Sequence, residues 1–141
     1  MWRRVLRPRV LIYTGLLSLI TLGLFLSLAL RTPLKVDVVR DRASLARITE
    51  VGTLENVYRL QIMNATEEPQ TYRLQVQGLE NIQIKTDPQV LVDPAQSRWV
   101  VVRVDIPYGS APAGSHPIWF EISADAARHR VTEKSVFLVP R

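Results

Sequence analysis

Chemistry in this chain would have to come from few side chains. His116 and His129 are the only histidines, and no cysteine occurs in the 141 residues. Without thiols there is no disulfide framework, thiolate zinc site, thiol nucleophile or cysteine-ligated iron–sulfur cluster. Neither histidine has a second ligand at the short spacing of a metal motif, so His116, His129 and the exposed-parity thioether of Met63 are only weak metal candidates. Ser115 beside His116 is not a nucleophile pair, because the base must be brought to the hydroxyl by the fold and oriented by a third group. Six glycines form no phosphate-cradling loop, and no carboxylate pair stands out from ordinary surface acids. The expectation is therefore no catalytic residue, no metal site and no cofactor site. Trp99 and Trp119 fall on the outward parity of their segments and mark a candidate partner surface, since exposed aromatics anchor binding. Asn64-Ala65-Thr66 matches a glycosylation sequon, but in a turn Asn and Thr serve local hydrogen bonds, and the turn reading is preferred.

The elements that hold these residues read as strands. Tyr58, Leu60 and Ile62 alternate with Arg59 and Gln61; Tyr72, Leu74 and Val76 alternate with Arg73, Gln75 and Gln77. Ile82 to Ile84, Val100 to Ile106 and Ile118 to Ile122 continue the period of two, flanked by Leu34 to Arg40 and Val131 to Val139. Seven main strands result, with a short eighth at Gln89 to Val92, while Ser44 to Ile48 reads as a loop. Prolines fall between the runs, where a residue without an N–H belongs. The fold class is mainly β: a seven-stranded immunoglobulin-like β-sandwich over residues 34–140, packed without the usual inter-sheet disulfide.

Ahead of the sandwich, Val10 to Leu30 is an uncharged apolar run of 21 residues. At about 1.5 Å per residue it makes a helix of roughly 30 Å, the thickness of a bilayer core. Ser27-Leu28-Ala29 resembles a signal-peptide cleavage site, but signal cores are shorter, about 7–15 residues, so a transmembrane helix over residues 10–30 is expected. Residues 1–9 form a basic flank carrying Arg3, Arg4, Arg7 and Arg9, against only Arg31 directly after the run. The positive-inside bias then leaves the N-terminus in the cytoplasm and the sandwich in the periplasm. The excess positive charge of +5 sits entirely beside the apolar run, and the stretch from Thr32 to Arg141 balances 13 bases with 13 acids. No nucleic-acid partner is expected from that distribution. Small residues four apart, Thr14/Ser18 and Gly23/Ser27, could face a neighbouring helix.

Two long strings resemble a known family. Arg31-Thr32-Pro33-Leu34-Lys35-Val36-Asp37-Val38-Val39-Arg40-Asp41-Arg42, directly after a membrane helix, and Glu55-Asn56-Val57-Tyr58-Arg59-Leu60-Gln61-Ile62-Met63-Asn64-Ala65-Thr66 closely resemble the C-terminal part of the FixG/CcoG family, as do Gly78-Leu79 and the Gly114 to Phe120 segment. The resemblance covers essentially the whole chain. It implies a polytopic parent with ferredoxin-type 4Fe–4S clusters ahead of its last membrane helix, a role in assembling cbb3-type cytochrome oxidase, and copper reduction for insertion. The earlier helices and cluster cysteines of that pattern are absent here, which implies a fragment or a truncated gene product, not an enzyme in its own right. The function expected is a non-catalytic, single-pass, inner-membrane module that acts by protein–protein interaction or positioning. Its implied partners are the membrane, other helices of a full-length relative and oxidase assembly factors. Part of a cupric reductase whose clusters lie elsewhere, and a generic periplasmic adhesion or chaperone-like module, are the alternatives.

Overall fold

The computed structural model describes residues 7–31, 33–41, 46–124 and 129–141. Arg3 and Arg4 of the basic flank, Arg42, and the Ser44–Leu45 part of the expected loop lie outside the described residues. Two compact units divide at Thr32/Pro33. The first contains one helix, α1 (Pro8–Ala29), of 22 residues, opened by a proline whose missing N–H would have had no partner in the first turn. Its residues are long and apolar enough to cross a membrane, a length and composition that a signal sequence near the N-terminus also satisfies. The Thr21 hydroxyl donates to the Leu17 carbonyl one turn back, at 2.8 Å, which satisfies a polar group on an apolar helix. Pro33 cannot continue a helix, and the chain changes texture there.

The second unit is a sandwich of two antiparallel sheets. Its strands are β1 (Leu34–Arg40), β2 (Arg47–Ile48), β3 (Thr53–Asn64), β4 (Gln70–Gln77), β5 (Gln83–Ile84), β6 (Gln89–Val92), β7 (Ser97–Pro107), β8 (Gly114–Ala124) and β9 (Arg130–Val139). Sheet A runs β1-β3-β7-β5, with β2 also paired to β3; sheet B runs β6-β4-β8-β9. The architecture is the expected β-sandwich, with nine strands among the described residues where seven and a short eighth were counted. The addition is β2, placed in the stretch read as a loop: Arg47 pairs with Glu55 and Ile48 with Leu54. Two residues carry no readable period, and only the length of β3, which outruns β1, leaves an edge for them to fill.

Alternation sets the core. Even-numbered residues of β3 and β7 point inward, so Tyr58, Leu60 and Ile62 meet Ile118, Phe120 and Phe137 from sheet B, all fully buried. Tyr58 and Phe120 pack edge to face with ring centroids 5.0 Å apart, the arrangement favoured by the aromatic quadrupole. Two of the inward positions of β3, Asn56 and Asn64, are asparagines. Asn64 is 2% exposed; its Oδ1 accepts from the Thr66 N–H at 3.0 Å and its Nδ2 donates to the Glu68 carbonyl at 2.8 Å. The sequon thus builds the turn it was expected to build, and its amide nitrogen is occupied inside the fold.

Candidate interaction surface

The register of sheet A lays its outward residues out in rows. Starting from the edge where β1 begins, the rows are Lys35–Met63–Ser97, then Asp37–Gln61–Trp99, then Val39–Arg59–Val101. Trp99 is 56% exposed, and Val39 and Val101 are each 51% exposed. Together with Arg59 and Val100 they line an open apolar depression of about 420 Å³. Arg59 lines the depression, and its guanidinium lies 3.5 Å from the Asp41 carboxylate, so its aliphatic stem can add apolar surface while its charge is paired. Trp99 was legible as outward by parity; its surroundings were not singled out. The signal was there in Trp99-Val100-Val101-Val102, a run apolar on both parities, of which a strand can bury only one against its own core.

Farther along the same face the character changes to charge. Glu55 and Asp105 are direct cross-strand partners of β3 and β7, and both are buried although they point away from the core. Arg47 on β2 lies 3.3 Å from Glu55, and Lys85, just after β5, lies 3.5 Å from Asp105. Each acid of a like-charged pair is thus flanked by its own cation from the neighbouring edge strand, which offsets the repulsion of two carboxylates placed side by side.

Sheet B turns the other outer face. Trp119 on β8 is 39% exposed and stands between Gln77 on β4 and Lys134 on β9, in a polar row. The two tryptophans therefore lie on different sheets and do not share one surface. Trp99 lines the apolar depression, whereas Trp119 has polar partners on both sides in its row.

The weak metal candidates are scattered. Met63 lies near the end of β3 on the outer face of sheet A, 40% exposed. His116 sits near the start of β8, opposite Phe137, with Nε2 at 2.7 Å from the Pro112 carbonyl. His129 precedes β9, at the other end of the β8–β9 hairpin, where its carbonyl accepts from the Ala124 N–H. Eight residues of strand between Ala124 and His116 place those two ends roughly 26 Å apart. Among the described residues no three His, Asp or Glu side chains come together as a metal-holding group. The chain has no cysteine to offer an iron–sulfur cluster, so the residues present do not fit that cofactor.

Comparison with known proteins places this fold. A family model described as "IG-like fold at C-terminal of FixG, putative oxidoreductase" matches residues 24–140. Nitrogen fixation protein FixG of Rhizobium meliloti (strain 1021) is 33% identical over 78 residues, covering 55% of this chain and 15% of that protein. Protein RdxB of Cereibacter sphaeroides is 28% identical over 144 aligned positions, covering 96% of this chain and 30% of RdxB. The chain thus spans less than a third of the length of either relative. The crystal structure of a FixG-related protein from Vibrio parahaemolyticus superposes with a TM-score of 0.70 at 24% identity, over 77% of this chain and 97% of that one, and so shares the fold. With the match running from inside α1 to the last strand, the chain belongs to the family of Ig-like folds found at the C-terminus of FixG.

Proposed function

We propose that this chain is a non-catalytic, membrane-held positioning module of a FixG-type accessory protein. In this reading α1 is a single-pass anchor in the inner membrane, the basic flank is cytoplasmic, and the sandwich stands in the periplasm. There it positions partners during assembly of a cbb3-type cytochrome oxidase, beside copper-reducing chemistry supplied by iron–sulfur clusters outside this sequence. The observation that carries the reading is family membership combined with the alignment to RdxB, which spans nearly this whole chain yet less than a third of that relative. The chain's own side chains support a passive role: the face with exposed apolar character is suited to contact, while the buried acids are each neutralised in place.

The test is made in cells that produce both this protein and a cbb3-type oxidase. Disrupting the gene should lower the amount of copper-loaded oxidase, and the full chain should restore it, whereas a chain ending at Thr32 should not. Unchanged oxidase in the disrupted strain would remove the proposed role. A reporter fused after Arg141 should be active only outside the cytoplasm, and a cytoplasmic signal there would reverse the orientation.

A further inference from the structure

The apolar depression on sheet A begins in the Trp99 row, roughly 10 Å along β1 from Leu34, and extends through the Val39 row at roughly 17 Å. Only Leu30, Arg31, Thr32 and Pro33 separate the last helical residue from Leu34. Fully extended, such a connector reaches roughly 15 Å. Trp99 belongs to the row of Asp37, three residues into β1, or roughly 10 Å along the strand from Leu34. We propose that the outer face of sheet A around Trp99 rests on the phospholipid headgroups of the membrane that holds α1. The inference depends on the anchor reading above.

Three observations favour this occupant. The patch has interfacial chemistry: an indole, the valines Val39 and Val101, and the thioether of Met63 one row nearer Leu34, all at least 40% exposed. Tryptophan settles at the headgroup level because its ring is apolar and its N–H is a donor. Next, exposed cations fringe the patch, with Lys35 on the side nearer Leu34 and Arg103 on the other. Of the acids on this side, Asp41 is engaged by Arg59, and Asp37 has Lys35 beside it on the same face of β1. Such a fringe complements lipid phosphates. Last, a short tether holds the bilayer at high effective concentration at all times, an advantage no diffusing protein shares. Sheet B supplies an internal comparison, since Trp119 stands between the polar Gln77 and Lys134 in its row, with Pro117 and Val136 in the next row.

The full chain in nanodiscs of phosphatidylethanolamine and phosphatidylglycerol tests this. Two single-tryptophan variants are compared, W2F/W119F, which keeps Trp99, and W2F/W99F, which keeps Trp119; both exchange only aromatics for aromatics. A lipid with a headgroup spin label should quench Trp99 several-fold more than Trp119, and aqueous acrylamide should show the reverse order. Equal quenching of the two by the spin label, with the chain still resisting alkaline carbonate extraction from vesicles, overturns the docking and leaves the anchor standing. Extraction by carbonate overturns both. Trp99 open to acrylamide in lipid-only nanodiscs but protected in native membranes overturns the lipid occupant in favour of a protein.

Discussion

Asn56 holds Leu138 with both ends of its side-chain amide. Nδ2 donates to the Leu138 carbonyl at 3.0 Å and Oδ1 accepts from the Leu138 N–H at 3.3 Å, across 82 residues of sequence. Two positions on, the Tyr58 hydroxyl donates to the Val136 carbonyl at 2.9 Å. Inward side chains of β3 thereby satisfy the free edge of β9, the last strand of the other sheet, and close the corner of the sandwich. An edge strand so covered is a poor template for another chain.

Asn56→Leu is expected to destabilise the domain by about 1–3 kcal/mol, because the Leu138 N–H and C=O lose their partners in a site with little access to water. The shift in urea midpoint of the detergent-solubilised chain, followed by tryptophan fluorescence, measures it. A midpoint unchanged from the parent would mean that water replaces the amide freely and that the clamp contributes nothing.

Leu60 and Gln61 are neighbours with opposite fates: Leu60 is fully buried, and Gln61 reaches outward to Ser97 at a long 3.5 Å. Leu60→Ala should cost roughly 2–5 kcal/mol from lost burial and the cavity left behind. Gln61→Ala should stay within about 0.5 kcal/mol. Comparable losses at both positions would contradict the register of β3.

Gly78 directly follows β4 at φ +129°, and a Cβ there would lie 2.7 Å from the Pro117 carbonyl oxygen and 2.9 Å from the Ile118 Cα. Both are backbone atoms of β8 that no rotamer change can move aside. Gly78→Ala should therefore cost clearly more than Gly109→Ala, where φ is +82° but nothing lies within 4 Å. The second substitution carries only the backbone penalty of about 1–2 kcal/mol. Thermal melts of the two variants side by side decide it, and equal melting temperatures would show that β8 yields.

The fold was legible wherever one strand could be read alone. Parity in β3 identified Tyr58, Leu60 and Ile62 as core, and parity in β7 and β8 identified Trp99 and Trp119 as outward, because a pleat with one buried face writes itself into every second residue. Relations between strands left no such mark. The sequence pairs no residue near Asn56 with Leu138, and an inward asparagine becomes intelligible only once β9 is known to pass it. Glu55 and Asp105 have the outward parity of their strands, yet they are buried, with Arg47 of β2 and Lys85 just after β5 brought to them by edge segments too short to show a period. Likewise, parity could not say that the two exposed tryptophans belong to different sheets, since that follows from which connections cross the sandwich.

Burial raises the Tyr58 phenol well above the ordinary tyrosine value of about 10, with Arg40 pulling more weakly the other way; burial raises Tyr72 as well. Because the folded form holds these protons longer, the unfolded chain ionises first as pH rises. Stability should be constant with respect to both groups below about pH 10 and fall above it, by up to about 1.4 kcal/mol per pH unit from Tyr58 and by a smaller amount from Tyr72. Tyr58→Phe should lose about 1 kcal/mol at neutral pH with its hydrogen bond, yet show a shallower alkaline decline, with the remainder due to Tyr72. Parallel alkaline slopes for parent and variant would show that Tyr58 is not the group responsible.

Purified without cluster-bearing proteins, the chain is expected to bind neither oxidation state of copper with sub-micromolar affinity. Copper(I) favours grouped thiolates or thioethers, and copper(II) favours grouped imidazoles. Here Met63 stands on the outer face of sheet A, while His116 and His129 belong to opposite ends of the β8–β9 hairpin. His116 is further engaged through Nε2 with the Pro112 carbonyl, a contact that copper bound at that nitrogen would have to break. Competition titrations against chelators of graded affinity, run separately under reducing and oxidising conditions, measure the outcome. A stoichiometric site abolished by His116→Ala or Met63→Leu would make this domain a direct participant in copper handling, because a passive positioning module has no reason to keep a tight site.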